Sequence, residues 1–357
     1  MSSITDREYM ARALRLAAHG LYTTDPNPRV GCVIVSDGSI VGEGWHIRAG
    51  EGHAEVNALA GAGEAARGAT AYVTLEPCCH HGRTPPCSQA LIDAGVARVV
   101  IAMQDPNPQV GGEGARALED AGIAVTREVL AMQAVALNPG FVRRMQTGRP
   151  FVRSKLAMSL DGRTAMASGE SRWITGTAAR SDVQRWRARA SAVLSGIDTV
   201  LTDDPSLNVR LDDVEVLQPL RVILDTRLRL TPTAKLLGLP GNTLVLTGSR
   251  DAGRQSALVD AGAEVVTLPQ VEGRLDLQAV LRCLGEREIN EVHVEAGPTL
   301  NGALLQAGLV DELVVYLAPH LMGDAARGLF SLPGREKMEQ RITLSISDSR
   351  AVGEVWR

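Results

Sequence analysis

Hydrophobic and polar positions alternate along the first half of the chain in a way that predicts strands separated by single helices. Residues 7–18 repeat apolar side chains at mixed three- and four-residue spacing, which indicates a helix. Residues 30–45 predict a hairpin around the Asp37-Gly38 turn. Further helices are predicted at 54–62, 88–94 and 114–121, and further strands at 70–75, 98–103 and 123–126. This alternation is typical of an α/β/α sandwich.

The periodicity breaks over residues 136–150, and a turn-rich stretch there precedes a new apolar run that begins at Phe151. The α/β pattern then resumes. Strands are predicted at 152–158, 192–194, 221–225, 243–247, 264–267, 291–295 and 313–317, with a helix at 177–190. The sequence therefore predicts two α/β domains, residues 1–148 and 149–357, each with its own sheet.

Composition narrows the class of protein. The 357 residues fit two or three domains, and a hydrophobic content of 45% with 22% charged residues is that of an ordinary globular protein rather than a disordered one. No apolar run reaches the roughly 18 residues that span a bilayer. A net charge of −4 and only 3% aromatic residues argue against a nucleic-acid partner. We expect a cytoplasmic protein with a small-molecule ligand and no membrane partner.

The five cysteines suggest a metal site rather than disulfides. Their number is odd, and Cys78, Cys79 and Cys87 lie within ten residues of one another. His53 and Glu55 stand where the 54–62 helix is predicted to begin. Residues two apart in a helix point about 200° away from each other, so both can serve one site only at the helix end. Cys87 likewise opens a predicted helix, where a thiol's pKa is lowered.

One imidazole and two thiolates leave the fourth position of a tetrahedral zinc open, which is the arrangement of a catalytic site. The predicted zinc ligands are therefore His53, Cys78 and Cys87. Zinc acidifies a water molecule at the open position. Glu55 is the candidate proton carrier, because it is a carboxylate beside the site that is not itself a ligand.

Alternatives remain open from the residues alone. The spacing of Cys78 and Cys87 departs from the usual P-C-x-x-C pattern of zinc deaminases, and Cys79 is an alternative candidate for the ligand. A deaminase of another base or nucleoside with a non-catalytic C-terminal binding domain is one rival function. A zinc-stabilised structural or sensing protein is another, but it leaves Glu55 without a role.

Longer strings identify a resemblance. The N-terminal half carries NPRVG at 27–31, TLEPCCHHGRTPPC at 74–87 and DPNP at 105–108; the C-terminal half carries KLAMSLDGR at 155–163, GESRWIT at 169–175, DDP at 203–205 and VEAGPTL at 294–300. From about residue 7 to at least 330, the chain resembles the bifunctional riboflavin-biosynthesis deaminase/reductases. The resemblance implies a cytidine-deaminase-like domain followed by a dihydrofolate-reductase-like domain.

The resemblance also implies two consecutive reactions on a phosphoribosyl pyrimidine. The first is hydrolytic deamination of 2,5-diamino-6-(5-phosphoribosylamino)pyrimidin-4(3H)-one. The second is reduction of the ribosyl side chain by NADPH, which gives 5-amino-6-(5-phosphoribitylamino)uracil. By similarity, the deaminase substrate contacts are Asn27, His46, His80, Arg83, Asp105 and Asn107. Asn27, Asp105 and Asn107 lie in proline-rich turns, where such side chains often only brace the backbone.

The second half lacks the G-x-G-x-x-G pattern of a Rossmann domain. It offers instead a strand, a glycine turn and a helix start around Gly297, which can bind a phosphate. By similarity, the cofactor contacts are Ala157, Trp173, Thr199, Asp203, Gly297, Pro298, Thr299, Leu300, Asn301, Gly302 and Ala303. The implied substrate contacts are Ser171, Arg187, Leu207, Arg210 and Glu295. From composition alone, Arg187 also fits a solvated helix face and Trp173 a core position. We expect a homo-oligomer.

Overall fold

The chain divides into two units of α/β structure, residues 1–149 and 150–357. The predicted boundary lies one residue before this division. The computed structural model describes residues 4–79, 86–108 and 110–357. Within these ranges no helix has both the length and the apolar character needed to cross a bilayer.

The first unit is built on one five-stranded sheet. Its elements are α1 (Ile4–Ala17), β1 (Gly31–Ser36), β2 (Ser39–Trp45), α2 (Ala54–Ala62), β3 (Thr70–Leu75), α3 (Cys87–Asp93), β4 (Arg98–Met103), α4 (Glu113–Asp120), β5 (Ala124–Thr126), α5 (Ala131–Leu137) and α6 (Pro139–Thr147). The strand order is β2-β1-β3-β4-β5, with β1 antiparallel to β2 and β3, and with β3, β4 and β5 parallel.

Helix α2 lies unusually close to strand β2, and this contact sets where the helix begins. A Cβ at Gly44 would lie 2.5 Å from the backbone oxygen of Ala54, which is closer than real Cβ atoms approach. Ala54, Ala58 and Ala62 are buried along the helix face that meets the sheet. Small side chains on both elements therefore fix the first turn of α2, which carries His53 and Glu55, against the sheet.

The second unit contains a nine-stranded sheet. Its elements are β6 (Phe151–Ser159), β7 (Arg163–Ala165), α7 (Thr177–Arg189), β8 (Ala192–Gly196), α8 (Ile197–Asp203), β9 (Leu220–Leu224), β10 (Thr243–Thr247), α9 (Ala252–Asp260), β11 (Ala263–Thr267), β12 (Gln270–Val271), β13 (Arg274–Leu275), α10 (Leu277–Glu286), β14 (Glu291–Val294), α11 (Pro298–Gln306), β15 (Glu312–Ala318), β16 (Arg327–Gly328), β17 (Ala351–Val352) and β18 (Val355–Trp356). The strand order is β11-β10-β9-β8-β14-β6-β15-β18-β17.

The middle of this sheet is parallel and buried. Strand β14 pairs in parallel with β8 on one side and with β6 on the other. Val292 and Val294 of β14 face an apolar cluster, while Glu291 and His293 point to the opposite face and are also buried. Because parallel strands end at the same edge of a sheet, the residues that follow β8 and β14 lie close together there.

The predicted strands and helices named above are present, with ends within two residues of the observed ones, except that the first helix begins at Ile4, three residues before its predicted start. One expectation is wrong: residues 136–150 are not a break, because α5 and α6 occupy most of this stretch. Pro139 stands at the first position of α6, where a missing N–H costs nothing, so a residue typical of turns here begins a helix. Asn138, between the two helices, binds the backbone N–H and C=O of Arg29 at 2.8 and 2.9 Å.

Candidate active sites

Three elements of the first unit bring His53, Cys78 and Cys87 together. His53 is the residue before α2, Cys78 follows β3, and Cys87 is the first residue of α3. Their ligand atoms all lie within 4.8 Å of one another. The Nδ1 atom of His53 is 3.2 Å from the Cys87 sulfur and 3.7 Å from the Cys78 sulfur. A tetrahedral zinc would hold a sulfur and a nitrogen ligand about 3.5 Å apart, so the donor set fits zinc.

Backbone and side-chain contacts favour a thiolate at Cys78. The Cys87 thiol, together with His53 and the Cys87 backbone N–H, lowers the pKa of Cys78 despite its burial. The backbone N–H lies 3.3 Å from the Cys78 sulfur. The pKa of Cys87 is raised by Cys78 and by burial. Cys79 is absent from the cluster formed by the described residues, which favours Cys78 over it as the ligand.

Glu55 lies in the first turn of α2, two residues after the ligand candidate His53. Its side chain is almost completely buried, and burial raises the pKa of the carboxyl to about 7. A carboxyl with this pKa exchanges protons readily near neutral pH, which is what a general acid and base in a hydrolysis requires.

Asn27 and His46 form a hydrogen-bonded pair next to the cluster. Asn27 Nδ2 lies 3.0 Å from His46 Nε2, and His46 Nδ1 lies 3.2 Å from the backbone oxygen of Gly52. Because that oxygen can only accept, Nδ1 carries the proton and Nε2 accepts from Asn27. Burial lowers the pKa of His46, in agreement with a neutral ring. The ring stands edge-on to that of His53, with centroids 5.2 Å apart.

Asp105 and Asn107 lie in the loop between β4 and α4. The carboxylate of Asp105 accepts the backbone N–H of Asn107 at 2.8 Å, and both side chains are partly exposed. His80 and Arg83 lie outside the described residues. Sequence reasoning gave no role to Glu76, although the structure buries its carboxylate against this loop. An acidic residue at the end of a buried strand was the available signal.

In the second unit, an ion pair marks the edge where β8 and β14 end. Arg187 of α7 binds both carboxylate oxygens of Glu295, with Nη2 2.9 Å from Oε2, and donates from Nη1 to the backbone oxygen of Asn208 at 2.9 Å. The Arg187 side chain is only 10% exposed, so it is not a solvated helix face. Burial raises the pKa of Glu295, but Arg187 outweighs it and holds that pKa well below its usual range.

The other predicted contacts of the second unit lie in different environments. Arg210 donates to the Asn208 side chain at 2.8 Å, while Ser171 and Thr199 are partly exposed. The Leu207 side chain is 2% exposed and lies within an apolar cluster. Trp173 is not a core residue: it is 70% exposed, and the Arg180 guanidinium lies 4.4 Å from its ring centroid.

The predicted phosphate-binding loop forms the start of α11. Gly297 precedes the helix and Pro298 is its first residue, so the free backbone N–H groups of the first turn face outward. A Cβ at Gly297 would meet no atom within 4 Å, which leaves open space there. Asn301 and Gly302 are buried. The Asn301 amide binds the Ser154 hydroxyl and the Ala296 backbone oxygen, both at 2.7 Å, and thus braces the loop from inside.

Comparison with known proteins agrees with the division of the chain into two units. Residues 3–103 match the family described as cytidine and deoxycytidylate deaminase zinc-binding region, and residues 150–356 match the RibD C-terminal domain family. The riboflavin biosynthesis protein RibD of Escherichia coli is 53% identical over 98% of this chain and 97% of its own length. The corresponding protein of Haemophilus influenzae is 52% identical over 99% and 96%.

Solved structures lead to the same result. RibD of Acinetobacter baumannii superimposes with a TM-score of 0.92 at 48% identity, over 99% of this chain and 97% of that one. A diaminohydroxyphosphoribosylaminopyrimidine deaminase/5-amino-6-(5-phosphoribosylamino)uracil reductase of Thermotoga maritima gives 0.87 at 34% identity, with the same coverage. The resemblance and the two α/β domain types are confirmed. The chain belongs to the RibD family of riboflavin biosynthesis, with a zinc-binding deaminase domain followed by a reductase domain.

Proposed function

We propose that this protein deaminates 2,5-diamino-6-(5-phosphoribosylamino)pyrimidin-4(3H)-one and then reduces the ribosyl side chain with NADPH to give 5-amino-6-(5-phosphoribitylamino)uracil. The observation that carries the first step is the meeting of His53, Cys78 and Cys87 within 4.8 Å, next to the buried Glu55. The similar protein of Thermotoga maritima is named for both activities, and this supports the choice of substrate.

In the deaminase site, His53, Cys78 and Cys87 would hold a zinc ion. When bound, zinc supplies a Lewis acid that activates water for attack on the ring carbon. Glu55 would pass one proton of this water to the ring nitrogen and the proton of the added hydroxyl to the departing amino group, so that the C–N bond breaks, a carbonyl and a ring N–H remain, and ammonia leaves. The pKa of Glu55, at about 7, suits both directions of transfer.

The deaminase substrate would be held by side chains around this centre. Neutral His46 and its partner Asn27 present a fixed polar edge beside His53. A guanidinium forms paired, charge-assisted hydrogen bonds with a phosphate, so Arg83 suits the 5′-phosphate. The proposed contacts are Asn27, His46, His80, Arg83, Asp105 and Asn107.

In the reductase site, NADPH would supply the reducing equivalents when bound. The open space at Gly297 and the first-turn N–H groups of α11 fit one of its phosphates. The exposed ring of Trp173 offers a stacking surface. The proposed cofactor contacts are Ala157, Trp173, Thr199, Asp203 and 297–303, and the proposed substrate contacts are Ser171, Arg187, Leu207, Arg210 and Glu295.

Two assays on the zinc-loaded protein test the proposal. Ammonia release from the diaminopyrimidine phosphate should fall by about 10²- to 10⁴-fold in Glu55→Gln, because a general acid-base contributes about that factor. An unchanged rate would refute this mechanism. Loss of NADPH absorbance should require the deaminated product; activity on cytidine without such loss would favour a deaminase whose C-terminal domain only binds. We also propose a homo-oligomer, and a monomer mass in solution would exclude it.

A further inference from the structure

Glu76 is a buried carboxylate that holds together two parts of the deaminase site. It directly follows β3 and stands two residues before the zinc-ligand candidate Cys78. Its side chain is only 5% exposed. One oxygen accepts the backbone N–H of Ala115 at 3.0 Å, and the other accepts those of Asp105 at 3.1 Å and Gly112 at 2.9 Å.

Two of these donors belong to the start of α4. The first backbone N–H groups of a helix have no partner inside it, and here Gly112, the residue before the helix, has no side chain to cap them. Glu76 performs this capping from another element, and its negative charge suits the positive end of the helix. The third donor, Asp105, begins the loop that leads from β4 to the same helix.

The first turn of α4 is also fitted closely against Pro77, the residue between Glu76 and Cys78. A Cβ at Gly114 would lie 1.9 Å from the backbone oxygen of Pro77, so only glycine allows this approach. Within the loop, the Asp105 carboxylate accepts the Asn107 N–H, and the Asn107 backbone oxygen accepts the N–H of Gly111 at 2.9 Å. A shift of Glu76 would therefore move Asp105 and Asn107 together.

We propose that Glu76 is a positioning residue for deamination, which ties the loop of Asp105 and Asn107 to the strand end that carries Cys78. This inference rests on the proposed function, since it takes Asp105 and Asn107 as substrate contacts. Glu76 itself reaches no reacting atom. It acts through the backbone of the loop, so its loss should weaken substrate binding more than it slows the chemical step.

Glu76→Gln tests this with little change of volume. A glutamine offers one acceptor oxygen, and its NH₂ group would face a backbone N–H, so at least one of the three hydrogen bonds is lost. We expect KM for the diaminopyrimidine phosphate to rise about tenfold or more, while kcat changes less than about threefold, because misplacing a substrate-binding group by an ångström has effects of this size. Zinc content should stay at one ion per chain.

Glu113→Gln is the matched control. Glu113 lies in the same first turn of α4, but its carboxylate is about half exposed and forms a surface ion pair with Arg116. KM and kcat should both remain at their wild-type values. Amide hydrogen exchange gives a second readout: in Glu76→Gln, exchange at Asp105, Gly112 and Ala115 should accelerate more than at neighbouring amides.

The outcomes separate cleanly. A lower melting temperature with unchanged KM would overturn the inference, because it would show a purely structural role. Loss of zinc would also overturn it, since Glu76 would then serve the metal. If Glu76→Gln does not fold, Glu76→Asp, with its shorter carboxylate, takes its place. A KM between those expected for the wild type and Glu76→Gln would support the inference, and an unchanged KM would overturn it. Failure of the wild-type protein to release ammonia would instead refute the proposed function.

Discussion

The two units build their sites from different materials. In the first unit, the zinc-ligand candidates and Glu55 lie within 35 residues, at two helix starts and just after strand β3, and short motifs surround each of them. In the second unit, the ion pair of Arg187 and Glu295 joins residues 108 positions apart. A site made of rare residue types at close spacing can be read from sequence, whereas a site made of common charged residues requires the fold that brings them together.

The largest expected effect is at the zinc cluster. Cys87→Ser removes one of three ligands, and we expect zinc to be lost and ammonia release to fall at least about 10³-fold. NADPH-dependent reduction of the deaminated product should continue, because the second unit has its own core. Metal analysis and the two assays measure this. Cys79→Ser is the control and should keep its zinc; loss of zinc there instead would restore Cys79 as the ligand.

Removing the charge of Glu295 should have the next largest effect. In Glu295→Gln the nearly buried Arg187 loses its carboxylate partner, and breaking such a pair costs about 3 kcal/mol in the free energy of unfolding. Urea unfolding followed by a probe in the second unit measures this. Glu264→Gln breaks the more exposed pair with Arg287 and should cost less than about 1 kcal/mol. Equal losses of unfolding free energy in the two variants would contradict the larger contribution expected of the buried pair.

The same pair predicts how stability depends on pH. Because the pKa of Glu295 is lowered in the folded state, the pair stabilises fully above the unfolded pKa of about 4.3 and loses its contribution as pH falls below that value. Between pH 5 and 3, the wild-type protein should therefore lose more stability than Glu295→Gln does. If the two proteins lost equal stability between pH 5 and 3, the lowered pKa of Glu295 would be refuted.

The smallest effect on stability is expected at Trp173. Its ring is 70% exposed, so Trp173→Ala should change the free energy of unfolding by less than about 0.5 kcal/mol. KM for NADPH should rise severalfold if the ring stacks on the cofactor. Trp356→Ala, at a second exposed tryptophan, should leave that KM unchanged. A large loss of stability in Trp173→Ala would show instead that Trp173 is a core residue.

These comparisons explain which parts could be predicted. Helices and strands followed from the period of apolar residues, and His53, Cys78, Cys87 and Glu55 followed from their metal-ligand and acid-base chemistry at close spacing. The role of Glu76 could not be found this way, because its partners are backbone N–H groups distant in sequence; the sequence showed only an acidic residue at the end of a buried strand. Helix α6 was missed because Pro139 and Gly140 look like a turn until their place at a helix start is seen.

Asn138 has a practical consequence for dissecting this protein. Its side chain satisfies both backbone groups of Arg29, two residues after Asn27, although the sheet itself ends at Thr126. A fragment that ended at β5 would keep every metal-ligand candidate. It would lack Asn138, whose side chain holds the backbone next to the Asn27 turn. Any excised deaminase fragment should therefore retain residues up to about the end of α6.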